Sequence, residues 1–123
     1  MVSVVIPIHN VEKYIDRGLT NILKQTHQDY EVILVDDGST DGSPTLCNAW
    51  AERYGKIRVL HKENGGAGSA RNLGIENAQG EYIYFFDIAS IEKKIEEYLQ
   101  PENNAAVRES LESRLPIIKQ KSE

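Results

Sequence analysis

The stretch Val32-Ile33-Leu34-Val35-Asp36-Asp37-Gly38-Ser39-Thr40-Asp41 decides the fold. Four apolar residues, three of them β-branched, end abruptly in two carboxylates and a tight polar turn. Uninterrupted apolar runs of this length belong to parallel strands covered on both faces, and open α/β sheets bind ligands beyond the carboxyl ends of such strands. Asp36 and Asp37 are therefore expected at a ligand-binding edge. A carboxylate only accepts hydrogen bonds, which suits a ligand presenting N–H or O–H groups, such as an imino N–H of a base or a sugar hydroxyl. The competing reading is that either acid caps the helix that follows.

Outward from this strand, apolar periodicity alternates between two and 3.6 residues. Residues 2–8 form a β-branched strand stopped by Pro7 and Asn10. A helix is expected over about 11–26, with Ile15, Leu19, Ile22 and Leu23 as one stripe and Asn10 as its cap. The strand at 30–35 leads to a helix over about 43–54, with Pro44 in its first turn and Leu46, Trp50 and Tyr54 as its buried face. Residues 57–61 and 82–86 read as further strands, separated by a short helix over about 68–78 carrying Ala70, Leu73 and Ala78. Strands alternating with helices predict right-handed βαβ units, hence an α/β fold: a mostly parallel sheet with helices on both faces. Asn10, Asp36, Asp37, the glycines after Asn64, and Asp87 then share one edge. After Asp87 the character changes to amphipathic helices over about 91–99 and 104–115, read as packing elements. Two parts are expected: 1–87 as the core and 88–123 as an atypical or truncated helical segment.

Composition narrows the function. The 123 residues are one domain's worth, short for a doubly wound enzyme. The net charge of −5 disfavours a nucleic-acid partner. The single Cys47 forms no intrachain disulfide, fits a reducing compartment and reads as a buried structural thiol. No run is apolar enough to span a membrane, and the amino terminus lacks the pattern of a signal peptide, so a soluble, cytoplasmic protein is expected, reaching a membrane surface only through missing parts. His9, His27 and His61 lack metal-ligand spacing, and neither a Ser/His/Asp arrangement nor a paired-carboxylate hydrolase pattern is present.

The segment Gly65-Gly66-Ala67-Gly68-Ser69-Ala70-Arg71-Asn72-Leu73-Gly74 joins a flexible loop to a helix start with a cation one turn in, a pattern that exposes backbone N–H groups to phosphate. It does not follow the first strand, so it fails the context of a dinucleotide fingerprint. Four motifs occur in order: Val4-Val5-Ile6-Pro7 with Asn10, Val35 to Asp41, Asn64-Gly65-Gly66 with Ala70 to Gly74, and Gly80-Glu81-Tyr82-Ile83 with Phe86-Asp87. Together they resemble the amino-terminal half of family 2 glycosyltransferases, over residues 2–87.

That resemblance implies the GT-A fold and inverting transfer of a sugar from a nucleotide diphosphate, UDP being the best donor reading, to the hydroxyl of a glycan or other acceptor. By resemblance, Pro7, Asn10 and Glu12 belong to the first nucleotide-contacting loop, Asp36 and Asp37 to the second, and Asp37 accepts the imino N–H of the base. Lys62 and Arg71 lie where positive charge favours the diphosphate, and Asp87 matches the first acid of an Asp-x-Asp signature that touches the ribose and the metal shell. The family implies Mn²⁺ or Mg²⁺. Here Ala89 stands where the second acid belongs, and no acceptor-side base is identifiable after Asp87. The change of character there reads as a truncation, an altered terminus or omitted segments. A non-catalytic module that holds a nucleotide or nucleotide sugar is the rival reading. A dinucleotide-binding oxidoreductase ranks last, because residues 8–11 contain no glycine for a pyrophosphate turn.

Overall fold

The computed structural model describes residues 1–90. The expected helices over 91–99 and 104–115 lie outside the described residues. Within them the order is β1 (Val2–Ile8), α1 (Glu12–Leu23), β2 (Tyr30–Asp37), α2 (Ser43–Arg53), β3 (Ile57–Lys62), α3 (Ala67–Asn77) and β4 (Tyr82–Phe85). The strands form one sheet in the order β3-β2-β1-β4, and all three pairings are parallel.

This order follows from the chain's direction of travel. From β1 it steps outward to β2 and β3, then returns across the sheet to β4 on the other side of β1. Right-handed crossovers place α1 and α2 on one face and, once the direction reverses, α3 on the other. Side-chain alternation along the strands serves both layers. Ile6, Ile8, Val32 and Leu34 pack with Tyr14, Ile15 and Leu19 of α1 and Cys47 of α2, while Val5, Ile33 and Val35 pack with Ala70, Leu60 and Leu73. On the α3 face the contact is close: a Cβ on Gly74 would lie 2.3 Å from Val5 Cγ1.

Three local expectations change. α1 ends at Leu23, short of the expected 26, and Asn10 does not cap it. The residue at its start is Val11, whose N–H is taken by Ser43 Oγ at 3.1 Å. On α2 the buried residues are Ser43 and Cys47, with Leu46, Trp50 and Tyr54 only half-buried. Trp50 lies along the seam with α1, where its Nε1 donates to Asp16 Oδ1 at 2.8 Å and its ring stacks on Tyr54 at 5.3 Å. β4 is an edge strand with both faces open: Tyr82 is 68% exposed and Ile83, Tyr84 and Phe85 are exposed as well.

A polar clasp at the amino ends of the strands sets the level of β4. The buried Glu31 carboxylate accepts from Ser3 Oγ at 2.6 Å, Gln79 N at 2.6 Å and Arg58 Nη2 at 2.8 Å. Ser3 Oγ in turn accepts from Gly80 N at 2.8 Å. Burial favours the neutral form of Glu31, but the bonds from Ser3, Gln79 and Arg58 outweigh it and hold its carboxyl below the usual range. The loop between α3 and β4 is thereby tied to β1 and β2.

Candidate functional site

At the carboxyl ends of the strands, a cleft of about 410 Å³ opens where the strand order reverses between β1 and β4. Open α/β sheets place their ligands at such a switch point. Pro7 and His9 leave β1 into it, Asp37 lies at the end of β2, Asn64 and Gly66 belong to the loop before α3, Arg71 projects from α3, and Phe85, Asp87 and Ala89 close the β4 side.

Asp37 is the best-defined group in the cleft. It is 3% exposed, and its Oδ1 accepts from Lys62 Nζ at 2.7 Å and Gly65 N at 2.9 Å, while Oδ2 accepts from Gly66 N at 2.9 Å. Burial alone would push this carboxyl up. The bonds from Lys62, Gly65 and Gly66 win, so Asp37 is held ionised, below the usual carboxylate range. Gly66 has a φ of 95°, in the left-handed region that a side chain resists, and this lets the loop turn both N–H groups onto the carboxylate. A carboxylate offers about four acceptor directions. Three are filled here, and the open one is on Oδ2.

Strand alternation sends the adjacent acid elsewhere. Asp36, 4% exposed, turns to the α2 side, where its Oδ2 accepts from His61 Nδ1 at 2.8 Å and its Oδ1 from Ser39 N at 3.1 Å. It neither caps a helix nor lines the cleft. Burial, with Asp36 and Asp41 adding negative charge nearby, pushes the Cys47 thiol up to about 12, so this cysteine is an inert core residue.

Asn10 and Glu12 stitch the first two loops together. Asn10, at φ 51°, offers its side-chain oxygen to Thr40 N at 2.8 Å and Asp41 N at 3.3 Å. The starts of α1 and α2 are capped reciprocally: Glu12 N donates to Asp41 Oδ2 at 3.3 Å, and Gly42 N donates to Glu12 Oε2 at 3.0 Å. Asp41 also accepts from Ser43 N at 2.9 Å. The competing reading had Asp36 or Asp37 capping the helix that follows; the acid that accepts from the N–H groups at the helix starts is Asp41.

Of the candidates read from the sequence, the cleft therefore gathers Pro7, Asp37, Arg71 and Asp87. Asn10, Glu12 and Asp36 lie behind it as loop supports, and the Lys62 ammonium is bonded to Asp37 and to the Glu63 carbonyl. Arg71 is exposed, its guanidinium 5.9 Å from the Phe85 ring. Asp87 is exposed at the rim, and its Oδ1 accepts from Ala89 N at 3.1 Å. His9, Asn64 and Phe85 also line the cleft. Metal-ligand spacing gave His9 no site role. Its Nδ1 donates to the Asp37 carbonyl at 2.9 Å, a bond that no local pattern foretells.

Comparison with known proteins agrees with this geometry. A glycosyl transferase family 2 model matches residues 3–88. Glycosyltransferase GlyG of Streptococcus pneumoniae is 50% identical over 95 residues, covering 76% of this chain and 32% of that protein. The uncharacterized glycosyltransferase EpsJ of Bacillus subtilis is 46% identical over 87 residues, covering 71% and 25%. The chain thus spans about a third or less of the length of these relatives. Among solved structures, S. aureus TarS in complex with UDP superposes with a TM-score of 0.65 at 29% identity, covering 80% of this chain and 31% of that one. The mannosyltransferase PcManGT of Pyrobaculum calidifontis, in complex with GDP-Man and Mn²⁺, superposes with a TM-score of 0.62 at 32% identity, covering 67% and 25%. The sheet order, the cleft at its switch point and these matches carry one conclusion: this chain has the GT-A fold and belongs to glycosyl transferase family 2.

Proposed function

We propose that the cleft is the donor site of an inverting glycosyltransferase that takes a uridine-diphosphate sugar. The observation that carries this is the buried Asp37 carboxylate with one acceptor direction open on Oδ2. Uracil presents a single imino N–H, which one open direction satisfies. Guanine presents an N–H and an amino group side by side, and a bidentate grip needs Oδ1 as well, which Lys62 and Gly65 already fill. The start of α3 favours negative charge, and Arg71 in its second turn pairs with two phosphate oxygens. Asp87, across the cleft, accepts from ribose hydroxyls.

Transfer is an in-line displacement. The acceptor oxygen forms a bond to the anomeric carbon, the bond from that carbon to the diphosphate oxygen breaks, and its electron pair leaves with UDP. The acceptor proton goes to a base that is assigned to no described residue. Asp87 is the described carboxylate that would contact Mn²⁺ or Mg²⁺, and the chemistry such an ion would supply is Lewis-acid neutralisation of the departing diphosphate. Alanine at position 89, where the resemblance implies a second acid, favours a second reading, a module that binds the nucleotide sugar without turning it over. Isothermal titration with UDP, GDP and ADP tests the donor site. UDP is expected to bind at least about tenfold more tightly than the others, the scale of one well-placed hydrogen bond to a charged group. Equal affinity for all three refutes the assignment of Asp37.

A further inference from the structure

We infer that the contact between Gly18 of α1 and Ile88 is the device that positions Asp87 at the cleft; this rests on the reading of Asp87 as a donor-binding carboxylate. Asp87 is exposed. Its neighbours hold it. On one side, Phe86 N donates to Val5 O at 3.1 Å, the last rung between β4 and β1. On the other, Ile88 is 3% exposed and sits in the core group with Val11, Ile15 and Leu19. Two fixed points two residues apart leave Asp87 little freedom, and the Ala89 N–H on its carboxylate closes the turn.

Gly18 makes the second fixed point. A Cβ there would lie 2.3 Å from Ile88 Cγ1 and 2.8 Å from Cδ1. Glycine is unfavourable in the middle of a helix, and Gly18 is not among the residues with positive φ. Space for Ile88 is thus what glycine supplies at this position. α1 therefore carries a notch on its sheet-facing side, and the chain leaving β4 is keyed into it. Gly18 and Ile88 are positioning residues that act through Asp87.

The test uses the full chain and UDP titration calorimetry. Gly18→Ala is expected to weaken UDP about tenfold, the scale on which contacting residues couple. Ile88→Ala, which removes the atoms that fill the notch, should weaken UDP to a similar extent, and adding Gly18→Ala to it should cost little more, because the nearest remaining Ile88 atom, Cβ, lies 3.7 Å from the added methyl. The deciding comparison is with Asp87→Ala. In that background Gly18→Ala should have no further effect on UDP, whereas the same loss in both backgrounds overturns the proposal in favour of general packing. If Gly18→Ala fails to fold, Ile88→Val, which removes the Cδ1 reaching Gly18, is carried through the same cycle with a smaller expected loss. Backbone amide shifts of residues 87–90 in the ligand-free Gly18→Ala protein report on the key alone. Unmoved shifts overturn the key, while moved shifts together with an Asp87→Ala protein that binds UDP normally overturn the donor role of Asp87.

Discussion

Replacing Asp37 separates what this carboxylate does for the fold from what it does for the ligand. Asp37→Ala leaves Lys62 Nζ, Gly65 N and Gly66 N without their acceptor. Hydrogen bonds to charged groups contribute about 1.5–3 kcal/mol each, but Gly65 and Gly66 lie on an exposed loop where water replaces the lost oxygen. The net cost in stability should be about 2–4 kcal/mol rather than the sum of three bonds, roughly 10 °C in melting temperature. Binding should suffer separately. The open direction on Oδ2 vanishes with the carboxylate, so UDP affinity should fall about ten- to a hundredfold. Asp37→Asn divides the two effects: its single amide oxygen, in the place of Oδ1, still accepts from Lys62 and Gly65, while its NH₂, in the place of Oδ2, faces the Gly66 N–H and cannot accept the imino proton. Asparagine should therefore restore part of the stability and little of the affinity. Thermal melts and UDP calorimetry on the three proteins check this, and an Asn variant that binds UDP like the wild type would falsify the role given to Asp37.

Further outcomes are expected. Arg71→Lys keeps the charge but loses the fork, so it should weaken UDP more than uridine; equal losses for the two ligands show that Arg71 does not read phosphate. Gly74→Ala should destabilise the protein by about 1–3 kcal/mol, because its methyl meets Val5 Cγ1 at 2.3 Å, and an unchanged denaturant midpoint contradicts the close packing of α3 on β1. Burial raises the carboxyls of Asp37, Asp41 and Glu31, but their hydrogen bonds outweigh it and all three are held below the usual range. The unfolded chain then binds more protons as pH falls past about 4, so this stability is complete above roughly pH 5 and lost as pH drops through the lowered folded values. Urea midpoints that stay flat between about pH 6 and 3 contradict this. Finally, the chain should bind UDP without releasing it from UDP-sugars at an appreciable rate: alanine stands at position 89, where the family resemblance implies an acid, no described residue is assigned as the base, and going without general-base catalysis costs on the order of a hundred- to ten-thousandfold. Turnover that needs both Mn²⁺ and Asp37 would show that another acid completes the site.

Local and periodic features were legible in the residues alone. The run Val32 to Val35 announces a doubly covered strand, and the alternation of periods announces βαβ units, because a buried face has to repeat at the pitch of its own element. The same pattern places Asp37, Arg71 and Asp87 beyond strand ends and at a helix start, and the order of the motifs carries the family. Tertiary structure decided which of these groups share a space. Asp36 and Asp37 are neighbours in sequence, yet the two-residue alternation of β2 sends one to His61 and the other to the cleft. The return of the chain from β3 to β4 puts α3 on the opposite face and opens the cleft between β1 and β4. Asn10 looks like a cap for the next helix but serves a loop thirty residues away, since its oxygen meets Thr40 only once β1 and β2 are paired. Gly18 gives no local sign of its role. Its partner is seventy residues on, and only the packed core shows that the hydrogen it carries in place of a side chain makes room for Ile88.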